Sequence, residues 1–72
     1  MSWKPQVQVR GEDGWHTNAM VFETEAEARQ WAEGLYYRWM VTRAYGAVEV
    51  DTANNPVNYK MVDGQAVAVE VK

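Results

Sequence analysis

Arg38 lies between Tyr37 and Trp39 in the run GLYYRWMVTRAY, Gly34 to Tyr45, and this juxtaposition is the strongest chemical feature of the chain. A guanidinium presents a planar fork of donors to a carboxylate or phosphate, and neighbouring rings can stack on a planar group. The same arginine can instead lay its stem along apolar surface and keep its head in water. Further along, Asn58 and Tyr59 close the loop NPVNY. Asn58 can brace that loop through backbone hydrogen bonds, and Tyr59 can be a core ring with a satisfied hydroxyl. Alternatively, Tyr37, Arg38, Asn58 and Tyr59 form one ligand-binding cluster of guanidinium, amide and phenols for something planar or anionic.

Other chemistries find no support. The chain has no cysteine and a single histidine, His16, so thiolate catalysis, disulfides and a multi-histidine or cysteine-ligated metal site are ruled out within one chain. A nucleophile for His16 would have to be Ser2, Thr17, Thr24, Thr42 or Thr52, and none has a supporting context. Glu23, Glu25 and Glu27 belong to a helix start, whereas Glu49, Asp51 and Glu70 read as strand faces or ends. There is no glycine-rich phosphate loop, and Asp51, Asn54 and Asn55 do not reproduce a calcium loop. The expectation is a protein that is not an enzyme and uses no metal and no cofactor.

Seventy-two residues make a single domain, 1–72. So short a chain buries only about 60% of the surface its unfolded form exposes, and small scaffolds compensate with disulfides, metals or oligomerisation. With the first two excluded, a homo-oligomer is expected. A net charge of −3 argues against bulk nucleic-acid binding, which depends on neutralising phosphates, but not against one anion held by a local arginine. The opening MSWKPQVQVR lacks a signal-peptide core and no apolar run approaches membrane-spanning length, so the expected setting is cytoplasmic with no membrane partner.

The elements that must position these residues follow from periodicity. Trp3, Pro5, Val7 and Val9 alternate with Lys4, Gln6, Gln8 and Arg10, a half-buried strand expected either to lie at an edge, since Pro5 cannot donate to a ladder, or to begin after it. GEDG is turn chemistry leading to a second strand near Trp15–Phe22. Thr24 and Glu27 have capping-box spacing, and a helix is expected over about 25–42. AYGAVEVD alternates again, with Val48 and Val50 on one face and Ala47 and Glu49 on the other; TANNPVN is a loop. YKMV, Asp63-Gly64 and QAVAVEV form a hairpin with Val67, Val69 and Val71 on one face. The expected fold is α+β in the order ββαβββ: one mainly antiparallel sheet with a single helix packed across one face.

At about 100° per residue the helix sorts into three lines. Ala28, Trp31, Ala32, Leu35 and Trp39 form a core stripe. Gln30, Gly34, Tyr37 and Val41 lie nearly opposite, and Gly34 there is either a solvent-facing glycine or the close-approach point of an oligomer interface. Arg29, Glu33, Tyr36 and Met40 make the third line, with Arg29 and Glu33 spaced to pair and Tyr36 and Met40 placed to pack over the sheet edge.

Phe22, Thr24, Glu27 and Ala28, then Leu35, Arg38 and Trp39, then Pro56, Val57, Asn58 and Tyr59 before the Asp-Gly hairpin, together resemble a group of short bacteriophage and prophage proteins. The likeness spans most of the chain after residue 20. It implies a phage setting in the host cytoplasm and no particular mechanism. The resulting expectation is a non-catalytic, homo-oligomeric binding protein that sequesters a small anionic or nucleotide-like ligand, such as a host-defence signal. The alternatives are an inhibitor or adaptor that docks on a host protein through exposed aromatics, and an accessory protein with no ligand.

Overall fold

A computed structural model describes residues 1–69 of the chain; Glu70 and Val71, assigned above to the last strand, lie outside the described residues. The alternating N-terminal segment forms β1, Ser2–Val9, followed by the two-residue β2, His16–Thr17. The helix α1 spans Glu25–Arg38, and β3, Thr42–Val50, β4, Tyr59–Val62, and β5, Gln65–Ala68, complete the order ββαβββ. The chain has an α+β fold in which one helix packs across an antiparallel sheet ordered β2-β1-β3. β1 and β3 pair regularly from Ser2–Val50 to Gln8–Ala44; the next pair is Val9–Thr42, which leaves Arg43 of β3 as the extra residue of a bulge.

The last two strands do not join that sheet. β4 and β5 pair with each other around Asp63-Gly64, both in the left-handed region (φ 51° and 80°) that this tight turn requires. The hairpin is fastened instead through the loop before it. Val21 O accepts from both Asn58 N–H and Tyr59 N–H, at 3.0 and 3.1 Å, so the start of β4 is tied to the segment that precedes α1.

The strand expected near Trp15–Phe22 contracts to His16–Thr17 plus a single bridge in which Trp3 and Phe22 exchange backbone hydrogen bonds. Between them the side chain of Asn18 accepts from Met20 N–H, and this local turn competes with the ladder.

α1 begins as expected. Thr24 Oγ1 accepts from Glu27 N–H, and the Thr24 hydroxyl donates to Glu27 Oε1. Its end differs: the helix stops at Arg38, four residues before the expected Thr42, because Trp39 is extended (φ −114°, ψ 102°). Thr42 makes this end affordable in hydrogen-bond terms, since its hydroxyl lies 2.7 Å from Trp39 O and 3.2 Å from Tyr36 O and its N–H donates to Trp39 O. Val41 is therefore not on the helix, and the expected line Gln30–Gly34–Tyr37–Val41 loses its last member.

The buried apolar core among the described residues is Val7, Val21, Phe22, Ala28 and Ala32. Ala28 and Ala32 let α1 approach the sheet closely, while Trp31 and Leu35 flank them half-buried. Trp39, expected in the core, is 47% exposed because it lies past the helix end and off the stripe. Arg29 pairs with Glu25 and not with Glu33, whose carboxylate instead accepts from the Tyr45 hydroxyl at 3.1 Å. Tyr36 does pack over the sheet edge, its ring 5.2 Å from that of Tyr45, but Met40 is 88% exposed.

Candidate functional site

The expected cluster of Tyr37, Arg38, Asn58 and Tyr59 is divided by the fold. Asn58 is a latch: its Oδ1 accepts from Val21 N–H at 2.7 Å and its Nδ2 donates to Ala19 O at 2.8 Å. An amide committed at both ends to backbone has little left for a ligand. Tyr59 packs its ring 6.3 Å from Phe22, the most enclosed aromatic of the core. Tyr37 is 74% exposed and stands edge-on to Tyr36, away from both.

Arg38 keeps its candidacy, with different neighbours. It lies in a groove of about 560 Å³ between α1 and the β4–β5 hairpin, lined on the helix side by Gln30, Trp31 and Gly34. Met61, Gly64, Gln65 and Ala66 of the hairpin form the other wall. The groove exists because the hairpin is held to the helix at one end only. Glu27 Oε2 accepts from Met61 N–H at 2.9 Å near the start of α1, and the hairpin turn stands apart from the later helix turns.

Two residues of the expected oligomer seam, Gln30 and Gly34, face this groove. A Cβ on Gly34 would meet nothing within 4 Å, so intrachain packing does not require glycine there. Its effect is to leave the groove floor open beside Arg38. The Arg38 Nε donates to Gly34 O at 3.1 Å, which orients the guanidinium along the helix. No carboxylate of the described residues forms an ion pair with it. Its position in the last turn also suits the negative end of the helix dipole, a structural role that leaves the terminal nitrogens available. The site thus combines one cation, the two carboxamides of Gln30 and Gln65, and the half-buried indole of Trp31. The sequence does not announce that Trp31, Gln30 and Gln65 share a groove with Arg38, because their meeting depends on where the hairpin docks.

A second, smaller groove of about 160 Å³ runs under the other side of Trp31, between Leu35, Trp39, Pro5, Val7 and the short β2. It is largely apolar, and it is open because β2 is too short to cover that flank of the helix. His16 at its rim lies 3.8 Å from Glu12 with both side chains exposed. Among the described residues no group of three His, Cys, Asp or Glu is placed to hold a metal ion, and no helix is long and apolar enough to cross a membrane.

No protein-family model, curated protein or solved structure matches this chain.

Proposed function

We propose that the protein is a non-catalytic, oligomeric binding protein that takes a small anionic ligand with a planar group, such as a nucleotide, in the groove between α1 and the closing hairpin. The reading rests on one observation: an arginine with no carboxylate partner shares that groove with an indole and two carboxamides. Arg38 would hold the anion, Trp31 would stack on the planar part, and Gln30 and Gln65 would read its edges. The phage setting implied by the sequence resemblance fits such a role, since a protein that titrates a host signal needs abundance and affinity and no turnover.

The test is a thermal-shift and calorimetric screen against linear and cyclic nucleotides. A ligand at about one hundred times its Kd stabilises the folded state by roughly 2.7 kcal/mol. Arg38→Ala removes charge-assisted bonds and should weaken binding by roughly tenfold or more. Gly34→Leu should block binding by filling the open floor while keeping the fold. No shift with any nucleotide, or equal affinity in Arg38→Ala, would reject the reading.

The second reading, docking on a host protein, draws on the exposed run Trp39, Met40 and Val41 beside the apolar groove. A specific partner lost on Trp39→Ala and retained on Arg38→Ala would favour it over the first.

A further inference from the structure

β3 is an edge strand. Its one partner in the sheet is β1, and the β4–β5 hairpin is docked on the opposite side of α1, along Gln30, Gly34 and Arg38. Trp3 exchanges both of its backbone bonds with Phe22, so its polar groups face away from β3. Alternation then turns Lys4, Gln6 and Gln8 toward β3, and their partners Val48, Gly46 and Ala44 toward β1. Tyr45, Ala47 and Glu49 are left with outward N–H and C=O groups that no strand of the described residues takes up. The middle of this edge, Ala44 to Val48, carries no charge and no proline and pairs in regular register; the bulged residue, Arg43, stands just before it. Exposed edges of that kind pair with other chains unless they are covered.

The charges of β3 stand symmetrically about Gly46: Arg43 three residues before it and Glu49 three residues after it. Both are exposed, and neither has an ion-pair partner among the described residues. We infer that β3 pairs antiparallel with β3 of a second copy of this chain about a two-fold axis at Gly46, joining two three-stranded sheets into one of six. In this register Arg43 lies across from the partner's Glu49, and Glu49 lies across from the partner's Arg43. Tyr45 and the partner's Ala47 turn their outward backbone groups toward each other and exchange both hydrogen bonds. Gly46 meets the partner's Gly46 as the non-hydrogen-bonded pair, where Cα atoms approach to about 4.5 Å and the absence of side chains removes any clash. Moving the axis to Tyr45 or Ala47 takes Glu49 away from Arg43.

The helices fit the same arrangement. α1 rests on both β1 and β3. With strands about 4.8 Å apart, a helix centred over each β1–β3 pair lies about two strand spacings, or roughly 10 Å, from its mate, which is helix-packing distance. The flank of α1 over β3, with Glu33 and Tyr36, would then face its counterpart. The dimer specifies the oligomeric half of the proposed function and is independent of the Arg38 groove.

Charge reversal tests it, with mass measured by light scattering or sedimentation at tens of micromolar and folding checked by circular dichroism. The wild type should be dimeric. R43E and E49R should each place like charges across both symmetric positions and shift the mass to monomer. Mixing those two variants should restore a dimer, since glutamates of one then meet arginines of the other, and the double variant R43E/E49R should dimerise with itself. A monomeric wild type overturns the inference, as do single reversals that stay dimeric or a mixture that stays monomeric. Nucleotide binding by a monomer would separate failure of this interface from failure of the ligand reading.

Discussion

On one flank of α1, Gln30, Gly34 and Arg38 look across a gap at the hairpin turn. On the other, Glu33 and Tyr36 sit directly on Tyr45 of β3. The first flank is held near the helix start, by Glu27 and by the Asn58 latch, and is open along the later helix turns. The second is packed by Glu33, Tyr36 and Tyr45, but its strand edge is unpaired among the described residues. Where structure is fastened at a few points, space for a ligand remains; where a strand is packed on one face but not paired at its edge, what remains is room for another strand. The same helix thus has an open groove along one side and an edge strand, β3, along the other.

Breaking the first flank should have the largest effects. Phe22 is fully buried, bridges Trp3 and packs on Tyr59, so it joins the hairpin to the sheet. Phe22→Ala should cost about 3–5 kcal/mol in urea unfolding, enough to leave much of so small a domain unfolded. Asn58→Ala should cost about 2 kcal/mol, because Val21 N–H loses its acceptor, and should lower Tm by on the order of 10 °C. If Asn58 were a ligand group and not a latch, that variant would lose binding with an unchanged melting curve.

The smallest change is expected on the second flank and is best read by titration. The Tyr45 phenol donates to the Glu33 carboxylate, which favours the neutral phenol and raises its pKa above the ordinary 10.0. A raised folded pKa means that this contribution is fully present below pH 10.0 and is lost as pH rises through the higher folded value. Ultraviolet titration of the four tyrosines should show one late component, and Tyr45→Phe should remove it. A titration curve unchanged by that substitution would show that the Glu33 contact does not hold in solution.

Much of the scaffold was legible from local signals. The Thr24 cap, the Asp63-Gly64 turn and the alternation in β1 each depend on residues a few positions apart and form where the sequence places them, although Glu27 completes only half of the capping box, its carboxylate accepting from the Thr24 hydroxyl and from Met61 N–H. The departures have one local cause and one long-range cause. The helix end was set too late because the stop comes from Thr42 accepting the role of cap for Tyr36 and Trp39, and no glycine or proline announces it. The expected binding cluster is divided by a long-range contact: Asn58 is used by Val21 and Ala19, at separations of 37 and 39 residues.

The sequence by itself determined the α+β order, the start of the single helix, the closing turn and the exclusion of thiol and multi-histidine chemistry, because these are properties of composition and short-range geometry. Only the tertiary structure decided that the hairpin leaves the main sheet, that Arg38 faces Trp31, Gln30 and Gln65 in place of Asn58 and Tyr59, and that β3 is left as an edge. These depend on which of several apolar and hydrogen-bonding surfaces meet across the chain. That choice is a competition among long-range contacts, and no local period encodes its outcome.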